Sequence, residues 1–131
     1  MLFSGLKTLI PLVLCAALNT FMSQAVVNTV NSVQEFEQLC ARAQQQNKLV
    51  VVDFYADWCG PCRNFAPVFE SVSRDVSDQA LFIKINGDEF PQLLRKYGVD
   101  RYPTIIVLKD GVQKRRMHGS QTKDVLKNAL Q

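Results

Sequence analysis

Leu49 to Tyr55 reads LVVVDFY, a β-branched and aromatic run too short for a helix and too continuously apolar for a strand with one wet face. Such a run is best satisfied in the middle of a sheet covered on both sides. Trp58-Cys59-Gly60-Pro61-Cys62 follows, and then Phe65, Val68, Phe69, Val72 and Val76 recur at helical spacing, with Pro67 expected to bend the helix they form. A buried strand therefore delivers two cysteines to the start of a helix.

The rest of the chain repeats this alternation. Ser32-Val33-Gln34-Glu35 is a capping box, and the Val33, Phe36, Leu39, Cys40 and Ala43 period behind it places Cys40 on a buried stripe, as a small core side chain. Ala80 to Ile85, ALFIKI, is a second buried strand carrying one charge, Lys84. Pro91 suits the first turn of a short helix that Gly98 can end in the left-handed conformation. Thr104 to Lys109 and Val112 to His118 flank Asp110-Gly111 as a hairpin, and a last helix spans about Thr122 to Leu130. The expected order is β-α-β-α-β-α-β-β-α, an α/β fold with a central mixed sheet and helices on both faces.

At 131 residues the chain supports one compact domain, and its formal charge of +3 neither calls for nucleic acid nor suggests disorder. Its beginning differs from the remainder. Lys7 precedes an apolar run from Leu9 to Leu18 that is too short to span a bilayer, and Ser23-Gln24-Ala25 fits the small-x-small rule for cleavage. Residues 1–25 are read as a signal peptide and 26–131 as the domain, an uncleaved anchor being the alternative. A mitochondrial address fits poorly, because the first arginine is Arg42. Cys15 follows Leu14, where a lipoprotein site would need a small residue.

Without that leader three of the four cysteines remain, an odd number that cannot all pair within the chain. At a helix N-terminus, free amide groups and the positive end of the helix dipole favour a thiolate, so Cys59 is expected to be the nucleophile and Cys62, one turn on, the resolving sulfur. Gly60 would let a substrate backbone approach, and Pro61 suits the first turn. Zinc would need four ligands, and beyond this pair the domain offers only Cys40 and His118, so no metal is expected. A permanent clamp across so short a loop would gain little entropy, which leaves redox chemistry as the favoured reading.

Trp58-Cys59-Gly60-Pro61-Cys62 after Asp53-Phe54-Tyr55-Ala56, with Tyr102-Pro103-Thr104, Lys109-Asp110-Gly111 and Gly119 in the same order, resembles the thioredoxin family from about Ser32 to Leu130. The resemblance implies that Trp58 shields the Cys59/Cys62 disulfide, that Pro103 is cis beside it, and that the backbone of Tyr102 pairs with an extended substrate. Gly60, Pro61 and Gly119 would border the same groove. It further implies that Asp53 is a buried carboxylate paired with Lys84, and burial alone would raise its pKa and allow proton exchange with Cys62. Two positions depart from the family pattern: Gly87 stands where a branched apolar residue is common, and Tyr102 where isoleucine is common. An aromatic before the proline is more like the domains of protein disulfide isomerase.

The expectation is an exported, monomeric thiol-disulfide oxidoreductase, in a periplasm more than in a secretory lumen, that reduces protein disulfides through Cys59 and Cys62. It requires no bound cofactor and meets a membrane only during export. Its partners would be disulfide-bearing clients and an electron donor, either a thiol reductase or a membrane thiol relay. An exported oxidase or isomerase, and a non-catalytic binding module, are the rival readings. Lys114-Arg115-Arg116 is read as a solvated strand edge and His118 as a packing or surface residue.

Overall fold

The computed structural model describes residues 26–131, and the expected signal peptide lies outside them. Elements follow in the order β1 (Val27–Thr29), α1 (Val33–Gln45), β2 (Leu49–Tyr55), α2 (Gly60–Asp75), β3 (Ala80–Asn86), α3 (Pro91–Tyr97), β4 (Thr104–Lys109), β5 (Val112–His118) and α4 (Lys123–Asn128). The sheet order is β1-β3-β2-β4-β5. β2 lies in the middle, parallel to β3 and antiparallel to β4, where its continuous apolar run finds cover on both faces.

The period of two along each strand divides the interior. Val50, Val52 and Phe54 join Ile83, Ile85, Ile106 and Leu108 on one face, under Phe36, Leu39 and Ala43 of α1 and Leu93 of α3. Val51, Phe82, Ile105 and Val107 form the other core with Phe65, Phe69 and Val72 of α2 and Leu126 of α4. Asp53 and Lys84 are register partners in β2 and β3. By the same alternation they share the face of Val51 and Phe82, beneath α2.

Local signals act largely as expected. Ser32 Oγ accepts the Glu35 amide at 3.0 Å, but the Glu35 carboxylate takes the amide of Asn31, at 2.7 Å, and not that of Ser32. The capping box therefore reaches one residue further back than its sequence pattern implies. α2 continues through Pro67 to Asp75. Gly98 ends α3 at φ 62°, and Asp110 and Gly111, at φ 50° and 76°, form the hairpin turn. α4 is shorter than expected at both ends.

Two expectations need correction. Cys40 is half-buried, packed against the edge of the first core instead of within it. Arg116 is no mere solvated edge charge: its guanidinium donates to the Tyr97 and Gly98 carbonyls and to Gln113. It thereby satisfies carbonyls that the end of α3 leaves free, where the helix dipole is negative.

Candidate active site

The two cysteines sit where β2 has ended and α2 begins. Cys59 is the N-cap of α2, and its Sγ accepts the Cys62 amide at 3.2 Å, doing with sulfur what a serine oxygen commonly does at a helix start. Cys59 and Cys62 are joined as a disulfide with Cα atoms 5.3 Å apart, and each is only 4 % exposed. Reduced, Cys59 would have the α2 N-terminus to hold its negative charge.

Trp58, next to Cys59 in the chain, is 70 % exposed, and its indole Nε1 donates to Asp88 Oδ2 at 2.8 Å. The Asp88 amide in turn donates to Asn86 Oδ1 at 3.0 Å. In the loop before β4 the Tyr102-Pro103 bond is cis, and the Gly119 amide donates to the Pro103 carbonyl at 2.9 Å. Gly119 holds φ 77°, which explains the glycine. Ser120 Oγ donates to the Pro61 carbonyl at 2.9 Å, tying this loop to the start of α2. Thr104 gives its hydroxyl proton to the Arg101 carbonyl at 2.7 Å and lies 3.2 Å from His118 Nδ1, so His118 braces the loop behind Pro103. Space above Gly60 is open except for the Arg63 guanidinium.

Asp53 is fully buried and neither carboxylate oxygen has a hydrogen-bond partner. Burial raises its pKa to about 7, against the pull of the Lys84 cation, which lowers it. The expected close pairing with Lys84 is not formed. The Lys84 ammonium instead lies 4.3 Å from the centre of the Tyr55 ring, at the wetter end of the strands, where it keeps part of its hydration and a π-face partner. Its influence on Asp53 is through space.

The disulfide joins Cys59 and Cys62, Tyr102 packs against that pair and meets Trp58, and the Gly119 amide holds the Pro103 carbonyl, whereas Asp53 lies in β2 beneath α2 and the Lys84 head group rests on Tyr55. The sequence-based reading misses Asp88 and Ser120, whose roles rest on contacts between segments remote in the chain. Among the described residues no group of His, Cys, Asp or Glu side chains could hold a metal ion.

An α/β sheet that presents a cysteine disulfide at a helix N-cap, with a cis-proline loop whose Tyr102 packs against it and an unpaired buried acid in the strand that leads to it, is a site for dithiol-disulfide exchange. The Thioredoxin family model matches residues 26–131. A rice H-type thioredoxin is 36% identical over 107 residues, 82% of this chain and 86% of the relative. The mitochondrial thioredoxin-2 of Schizosaccharomyces pombe is 36% identical over 104 residues, 79% of this chain and 77% of its own. In structure, a thioredoxin of Nicotiana alata superimposes with a TM-score of 0.72 at 36% identity, covering 79% of this chain and 89% of that one. The chain belongs to the thioredoxin family. It is a thiol-disulfide oxidoreductase that reduces disulfides in other proteins.

Proposed function

We propose that this protein is an exported thioredoxin in which Cys59 attacks the client, Cys62 resolves, and Asp53 carries the proton that resolution requires. The observation that supports this most is Asp53 itself. A carboxyl buried with both oxygens unpaired is costly to keep, and a pKa near 7 suits a group that must both take and give a proton at neutral pH.

The cycle balances without a cofactor. The Cys59 thiolate attacks one sulfur of a client disulfide; a Cys59–client bond forms as the client's own S–S bond breaks, and one client thiolate leaves and takes a proton. Cys62 passes its proton to ionised Asp53, directly or through water, and its thiolate attacks Cys59 Sγ. The second client sulfur leaves as a thiolate and takes the proton that Asp53 received, and the chain's disulfide is formed. Two electrons have moved to the client, and a thiol reductase or membrane thiol relay must return them. Trp58, Gly60, Pro61, Tyr102, Pro103 and Gly119 border the groove that receives the client.

Export to a periplasm rests on Lys7, the short apolar run and Ser23-Gln24-Ala25. Relatives named mitochondrial and chloroplastic show that members of this family serve several compartments. Cys62→Ser, expressed with the full leader, tests both parts: the mature chain should begin at Val26, and client proteins should be trapped on Cys59 in the exported fraction. A leader retained on a chain confined to the cytosol would overturn export. An absence of trapped clients would overturn the cycle.

A further inference from the structure

Gly87 does not owe its identity to its backbone, since the glycines with positive φ among the described residues are Gly98, Gly111 and Gly119. Space explains it. A Cβ built on Gly87 would lie 2.5 Å from Tyr102 Cζ and 2.6 Å from Cε1, and closer still to the hydroxyl, separations that real Cβ atoms essentially never show. The phenol end of Tyr102 occupies the room that a side chain at position 87 would need. The small residue at 87 and the large one at 102 are thus complementary, the aromatic ring filling the space that a side chain at 87 would take.

The ring is held in that place. It meets Trp58 edge-on, with centroids 5.8 Å apart and planes at 64°, and packs against the cluster of Ala56, Cys59 and Cys62. The indole is in turn held by Asp88. Two coupled rings therefore stand beside the disulfide, Tyr102 packed on its cluster and Trp58 edge-on to Tyr102.

We propose that Tyr102, seated in the side-chain space of Gly87, is a specificity-determining residue that favours clients with an aromatic side chain beside the attacked cysteine. A third ring can pair with the exposed indole and the phenol, and one aromatic pair adds affinity beyond its buried area. The inference rests on the disulfide-reducing function and on residue 102 facing the client.

The test uses disulfide-linked peptides that differ only in the residue beside the cysteine, Phe, Ile or Lys, reduced by the mature chain in its dithiol form. The Phe peptide should exceed the Ile peptide in kcat/KM by about three- to tenfold, mainly through KM, the size of one aromatic pair. In the double variant Gly87→Ile with Tyr102→Ile the preference should vanish or invert. Tyr102→Phe should keep it, because the ring and not the hydroxyl carries it. Thermal melts show whether each variant is folded, and Tyr102→Leu serves in its place if the double variant is not. An unchanged order in folded variants, or a Lys peptide preferred by the parent, would overturn the inference. Hydroxyethyl disulfide separates the levels: a parent that fails to reduce even this small disulfide overturns the reductase reading, whereas one that reduces it but treats the peptides alike overturns only the role of Tyr102.

Discussion

Cys59 and Cys40 are both packed against apolar neighbours, yet they are opposite kinds of thiol. Cys59 caps α2, where its Sγ accepts the Cys62 amide, and it follows an exposed tryptophan in the chain. Cys40 lies in the third turn of α1, where the backbone amides are already spent within the helix, and burial pushes its pKa up to about 11. Burial alone makes a cysteine inert; burial at a helix start makes it a reagent. The second feature that separates the two regions is charge: Asp53 lies beneath α2 without a hydrogen-bond partner, whereas the charges that act on Cys40 are those of Lys96 and Glu37.

The comparison can be broken most severely at the nucleophile. Cys59→Ser should abolish reduction of protein disulfides, whereas Cys40→Ser should leave the rate within about twofold of the parent, as measured by coupled turnover. Loss of activity on changing Cys40 would show that the two environments are not chemically separate.

Asp53→Asn should act on both rate and stability, in opposite senses. It should slow resolution near neutral pH and much less at high pH, where Cys62 loses its proton without help. For stability the sign follows from a folded pKa raised above the unfolded value of 3.8 to about 7. The native chain binds the proton more tightly than the unfolded chain. Its contribution is complete below pH 3.8 and is lost as pH rises towards 7, at about 4 kcal/mol in all. Denaturant unfolding should find the Asn variant more stable than the parent above pH 7, with the difference closing towards pH 4. A difference that stays constant across that range would remove the buried, titrating carboxylate from the account.

Away from the site the effects shrink. Arg116→Ala frees the Tyr97 and Gly98 carbonyls at the end of α3, and should cost about 1 kcal/mol of stability with turnover unaffected. A melting shift of about 4–8 °C would register it in a domain of this size. Smallest is the alkylation of Cys40, which with a pKa of about 11 should react with iodoacetamide at neutral pH far more slowly than reduced Cys59. Comparable rates would erase the distinction.

The legible part of this molecule is the part set by local chemistry. The continuous apolar run of β2, the glycine stop at Gly98, the Asp110-Gly111 turn and the cysteines at a helix start each have a cause within a few neighbouring residues. Phe36, Phe65 and Phe69 fall on helical periods and Phe54 and Phe82 within apolar strand runs, and all five are buried. What escaped was decided by tertiary packing. Lys84 stands in register with Asp53, yet its long side chain has a choice of partners and rests on Tyr55. Asp88 holds Trp58 across the gap between two segments, and Gly87 makes sense only once Tyr102 is seen in its space. Helical period places Cys40 on the buried stripe of α1, but period gives the direction of a side chain and not the depth of the packing above it.

The central claim is that Cys59 and Cys62 give up electrons to client disulfides. The most direct test is the equilibrium potential of their couple in the mature chain, titrated against a thiol buffer of known potential. A value near that of reducing dithiols of this family, about −270 mV, is the predicted result. A value near that of strong disulfide donors, about −120 mV, would contradict it and make the protein an oxidant of its clients.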